Sequence, residues 1–96
     1  MKTKRFLKYQ LQISKRKLSD INVFTRKELN ELPSEYGYLG YGETNDEDEE
    51  LVIIGEIVAD TRKECKSILA DLKNKLKSIF DTKRVSTLIE LGGDIL

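Results

Sequence analysis

Between Thr61 and Phe80 the apolar side chains fall at Cys65, Ile68, Leu69, Leu72, Leu76, Ile79 and Phe80, a 3- and 4-residue spacing that places them all on one stripe of an α-helix. Thr61 and Glu64 stand in the S/T-x-x-E pattern of a capping box, which starts the helix just after Thr61. Lys73, Lys75 and Lys77 lie toward its C-terminal end, where the helix dipole favours cations. A helix apolar on one side only must lay that stripe on another element. The rest of the chain supplies strands to receive it.

Leu7, Tyr9, Leu11 and Ile13 alternate with Lys8, Gln10, Gln12 and Ser14, the period of a strand with one buried and one wet face. Ser14-Lys15-Arg16-Lys17 turns the chain, and Leu18 to Val23 reads as a second, shorter strand. Thr25 and Glu28 form another capping box, with Phe24 and Leu29 at the positions of a hydrophobic staple, so a short helix is expected over 26–32, stopped by Pro33. Both helices thus begin Thr-Arg-Lys-Glu, read as a recurring local cap rather than a duplicated unit.

Tyr36-Gly37-Tyr38-Leu39-Gly40-Tyr41-Gly42 and the β-prone run Leu51 to Ala59 are expected in the arms of a hairpin, about 36–42 and 50–59, with the acidic run as its solvated tip, about 43–50. Val85, Thr87, Ile89 and Leu91 alternate as a closing strand before Gly92-Gly93 releases a tail over 92–96. The expected fold is α+β: one domain over 1–96 with an antiparallel or mixed sheet of about five strands, order β-β-α-β-β-α-β, and the long helix packed on one face.

The charges cancel overall, seventeen of each sign, yet they are segregated. Residues 1–27 carry nine basic side chains against Asp20, and 28–60 carry eleven acidic side chains with no Lys or Arg. Separated blocks of charge act on a partner at a distance. Ninety-six residues are enough for a core without metal or disulfide, and a single cysteine, Cys65, fits a reducing, cytoplasmic setting. The longest clean apolar run, Leu51 to Ile54, falls far short of the roughly 20 residues of a membrane span.

Catalytic chemistry has little to work with. There is no histidine, and the lone thiol belongs to the long helix's apolar stripe. Asp46, Asp48 and Glu50 have the first spacings of a calcium loop, but Leu51 stands where glycine is required and Ile57 where the bidentate Glu belongs. Gly37, Gly40 and Gly42 lack the pattern of a phosphate-binding loop and neighbour only negative charge. The expectation is no enzyme, no metal and no cofactor.

The leading expectation is a small protein-binding module, an inhibitor or regulator that docks an acidic, tyrosine-flanked hairpin onto a basic, nucleic-acid-binding surface of a partner. Tyr36, Tyr38, Tyr41, Glu43, Asp46, Glu47, Asp48, Glu49 and Glu50 are its candidate contacts, with at least one tyrosine expected at the surface. By analogy of size and charge pattern, the chain is similar to small inhibitors encoded by phages and other mobile elements, anti-CRISPR proteins included. A second reading is a nucleic-acid-binding module using Lys8, Lys15, Arg16 and Lys17. A third is an assembly subunit that self-associates as its opposed charge blocks pair, as in a homodimer.

Overall fold

The computed structural model describes residues 4–44 and 49–95. Four antiparallel strands and two α-helices follow one another as β1 (Lys4–Ile13), α1 (Val23–Asn30), β2 (Tyr38–Glu43), β3 (Leu51–Ala59), α2 (Arg62–Ile79) and β4 (Val85–Ile95). The sheet order is β2-β3-β1-β4. The α+β class stands as expected; the sheet has four strands, not five.

The missing strand is Leu18–Val23. Leu18–Asp20 is a 3-10 turn, and α1 begins at Val23 because Asn22 caps it, its Oδ1 accepting from Thr25 N at 2.8 Å. Asn is at least as good a cap as Thr, and starting three residues earlier adds most of a turn of backbone hydrogen bonds. Phe24 is left 79% exposed, so no staple forms with Leu29, which is fully buried.

The Thr61 cap is as read: its hydroxyl accepts from Glu64 N at 3.1 Å. The stripe of α2 buries Cys65, Leu69, Leu72, Leu76 and, just past its end, Phe80 against Leu7, Tyr9, Leu11 and Ile13 of β1 and Leu51, Ile53 and Ile57 of β3. Cys65 is a core residue, its thiol 3.8 Å from the Arg5 carbonyl and its pKa pushed up by burial. Gly92 and Gly93 do not release a tail. They continue β4 opposite Leu7 and Phe6, and the Phe6 ring lies so close over Gly93 that a Cβ there would come within 2.7 Å of it.

The Tyr9 hydroxyl crosses Gly55 and donates to the Tyr36 carbonyl at 2.8 Å, joining the central strand to the turn before β2. Tyr9→Phe leaves that carbonyl without its donor and is expected to cost about 1–2 kcal/mol at neutral pH. Burial raises the Tyr9 pKa above its ordinary value, so above about pH 10 the unfolded chain loses this proton before the folded chain does. Stability therefore falls as the medium becomes more alkaline. Burial also raises the Tyr36 and Tyr38 pKa values, so denaturant titrations at about pH 9 and about pH 11 should show a smaller alkaline loss in Tyr9→Phe, not an abolished one.

Candidate interaction site: the hairpin end and the open sheet face

Antiparallel pairing of β2 with β3 places the acidic segment at one end of the sheet, beside the turn that leaves β1. The stem of the hairpin is tied to that turn. Glu43 Oε1 accepts from Leu18 N at 3.0 Å, and Leu51 N donates to Arg16 O at 2.6 Å. The Glu50 carboxylate accepts from Gln12 Nε2 and from Lys15 N. Thr44 and Glu50 then close the stem on each other: Thr44 N donates to Glu50 O at 3.0 Å, and Glu50 N to Thr44 Oγ1 at 3.2 Å. Glu43 and Glu50 are therefore structural carboxylates engaged by backbone and amide N–H groups. Glu49 is exposed in a left-handed conformation. Asp46, Glu47 and Asp48 lie outside the described residues.

The three tyrosines divide. Tyr36 belongs to the core, whereas Tyr38 and Tyr41 are half-buried on the edge strand, packed against that core. Both face the helix side because the pairing of β2 with β3 shifts between Tyr38 and Gly40, which turns Leu39 to the other face, 72% exposed. None of the three stands fully at the surface.

The basic candidates are not gathered in one place. Lys8 sits on the sheet face away from α2, over the Phe6 ring at 5.9 Å. Lys15 takes a left-handed conformation in the turn, roughly 20 Å further along at ~3.3 Å per residue. Arg16 Nη2 donates to Phe80 O at 2.7 Å, a cation closing the C-terminal end of α2, and Lys17 N donates to Asp20 Oδ2. The basic and acidic blocks join through the Lys4–Asp60 ion pair at the far end of the sheet, where Arg5 also pairs with Asp94 of β4, whereas at this end the stem carboxylates are held by backbone N–H groups and the Gln12 amide.

A second surface was not anticipated. On the face of the sheet away from α2, Leu39, Ile54, Val58, Ile89 and Leu91 are all substantially exposed, and Leu39, Ile54, Ile89 and Leu91 line a shallow groove of about 330 Å³ together with Lys8, Gln10 and Glu56. The signal was present in β3, whose Leu51-Val52-Ile53-Ile54 and Val58 are apolar on both faces of the strand, the pattern of a strand covered on both sides.

No family model, curated protein or solved structure matches the chain. Its function has to be argued from these surfaces. Among the described residues no group of three His, Cys, Asp or Glu side chains is placed to hold a metal ion, and no helix is long and apolar enough to cross a membrane.

Proposed function

We propose that the chain is a small non-enzymatic protein-binding module, an inhibitor or regulator that presents the acidic apex of the β2–β3 hairpin to a basic, nucleic-acid-binding surface of a partner. The anchored stem carries this reading. Four acidic residues in succession, Asp46 to Glu49, are strung between Thr44 and Glu50, and both of those residues are hydrogen-bonded to each other and, through Glu50, to Gln12 and Lys15. Fixing both ends of the run lowers the ordering cost of docking. Carboxylates presented in this way can occupy the Lys and Arg sites that a nucleic-acid binder offers to phosphates.

The contact set narrows accordingly. Asp46, Glu47, Asp48 and Glu49 remain as contacts, Tyr38 and Tyr41 can contribute only their exposed edges, and Tyr36, Glu43 and Glu50 serve the scaffold. The test is the quadruple variant Asp46→Asn, Glu47→Gln, Asp48→Asn and Glu49→Gln, with Glu50 kept intact. Affinity for a basic protein captured by the wild type is expected to fall about 10- to 100-fold, as for the loss of several rim charges, and the captured protein's nucleic acid should compete with the wild type. The melting temperature should hold within about 3 °C, because the stem contacts of Glu43, Thr44 and Glu50 are left in place. Undiminished affinity in the folded variant would overturn the proposal.

A further inference from the structure

We infer that the open face of the sheet is a homodimer interface, in which two copies pack their sheets face to face around a two-fold axis running along the strands between β1 and β3. This surface is separate from the hairpin apex, and the inference does not rest on the proposed function.

The sheet order makes the face self-complementary. In the order β2-β3-β1-β4 such an axis exchanges β1 with β3 and β2 with β4. The registers then decide what meets what. Lys8 is level with Glu56, Phe6 with Val58 and Gln10 with Ile54, so Lys8 faces Glu56 of the second copy and Phe6 faces its Val58. Leu91 is level with Lys8 on one side and Ile89 with Gln10, while Gly40 is level with Ile54 on the other. Leu91, level with Glu56, therefore falls at the level of Gly37 of the second copy, and Ile89 falls at its Gly40, above which there is open space, with Leu39 beside it in the register shift between the levels of Gly55 and Ile54. Phe6 meets Val58 and Leu39 comes beside Ile89, Gln10 and Gln12 lie over Ile54 and Val52, and the charged pair at the centre meets its opposite.

Charge supports a second copy over an unrelated partner. Among the described residues neither Lys8 nor Glu56 is in an ion pair, although they are cross-strand neighbours. Both remain available, and the two-fold axis satisfies both at once. The size also fits. Four strands about 4.8 Å apart and six to eleven residues long give the face a footprint of roughly 570 Å² before its corrugation is counted, somewhat below the ~800 Å² per partner of a standard stable interface. Face-to-face sheets pack about 10 Å apart and rotated by roughly 30°, which leaves the central pair near the axis in register.

Sedimentation velocity on the full chain over a range of micromolar concentrations tests this. The wild type is expected to form a species of twice the 11.1 kDa chain mass. Lys8→Glu and Glu56→Lys make the centre wholly negative or wholly positive, and each should weaken self-association at least about tenfold. Mixing the two variants should restore dimerisation, as should combining them in one chain. Thermal melts of each variant check that it folds, since like charges on neighbouring strands weaken a sheet only modestly. A wild type that stays monomeric throughout overturns the inference and leaves the face to a different partner. So does a dimer indifferent to both single swaps, which would form through another surface such as the β4 edge, and so does failure of the mixture to associate.

Discussion

Gly37→Ala is expected to lower the melting temperature by about 15–25 °C, the equivalent of roughly 3–4 kcal/mol in a domain of this size. Gly37 ends the 3-10 turn Ser34–Tyr36 in a left-handed conformation, φ 61°, with its N–H on Ser34 O. Its carbonyl accepts from Glu56 N at 2.9 Å, which fastens the turn to β3. The left-handed backbone by itself costs a non-glycine residue only about 1–2 kcal/mol. Space is the larger effect. A Cβ at this position would stand 1.7 Å from Glu56 O and 2.4 Å from its carbonyl carbon, and both are backbone atoms of a strand paired on both sides. The turn must therefore move, giving up the Glu56–Gly37 bond and disturbing the Tyr9 hydroxyl's acceptor one residue away. Gly37→Asn separates the two causes, because Asn tolerates the left-handed region but carries the same Cβ. Asn should be nearly as damaging as Ala in thermal and urea melts; recovery of most of the stability by Asn would mean that strain, not the clash, governs the site.

How much of this could be read from residues alone depends on the range over which each was determined. The Thr61 cap and the stripe from Cys65 to Phe80 are local signals with one solution, and the helix follows them. Alternation in Leu7–Ile13 likewise specifies which face of β1 is buried, and Tyr9 is in the core accordingly. Leu18–Val23 reads as a strand from its residues alone because Ile21 and Val23 alternate, but Asn22 competes with Thr25 as a cap and the helix claims Val23. Gly92-Gly93 suggested an ending because glycine weakens strands; Phe6, contributed by β1 from the other end of the chain, covers Gly93, and nothing near residue 93 announces it. The candidate site was legible as an acidic run but not as a mounting. That Glu43 and Glu50 hold the stem follows from where Gln12, Lys15 and Leu18 arrive in space, and the open apolar face follows from the pairing order, which no single strand encodes.

Leu29→Ala should unfold α1 locally while leaving the sheet intact, a roughly 100-fold loss of amide exchange protection confined to that helix. Leu29 is the only fully buried residue of this eight-residue helix, and only Ile21 and Leu32 flank it, half-buried against the same core. A helix so short is not stable in isolation. Removing a buried leucine side chain costs about 3 kcal/mol, as much as a peripheral segment with one anchor can be expected to have. Detachment then becomes easier than retaining the cavity. The Arg26 and Glu31 amides, bonded to Asn22 O and Lys27 O at 3.0 Å each, should exchange almost freely, while the amides between β1 and β3 keep their protection. Global stability should fall by less than the full cavity cost, because the loss saturates once α1 has let go. Leu72→Ala offers the contrast: it sits fully buried at the middle of the 18-residue α2, where no local release is open to it, and should show the full ~3–4 kcal/mol in denaturant melts with protection lowered everywhere. If Leu29→Ala instead lowers protection uniformly across both helices and the sheet, α1 is cooperative with the core, and the 3-10 turn whose Leu18 amide holds Glu43 of the hairpin stem is cooperative with it too.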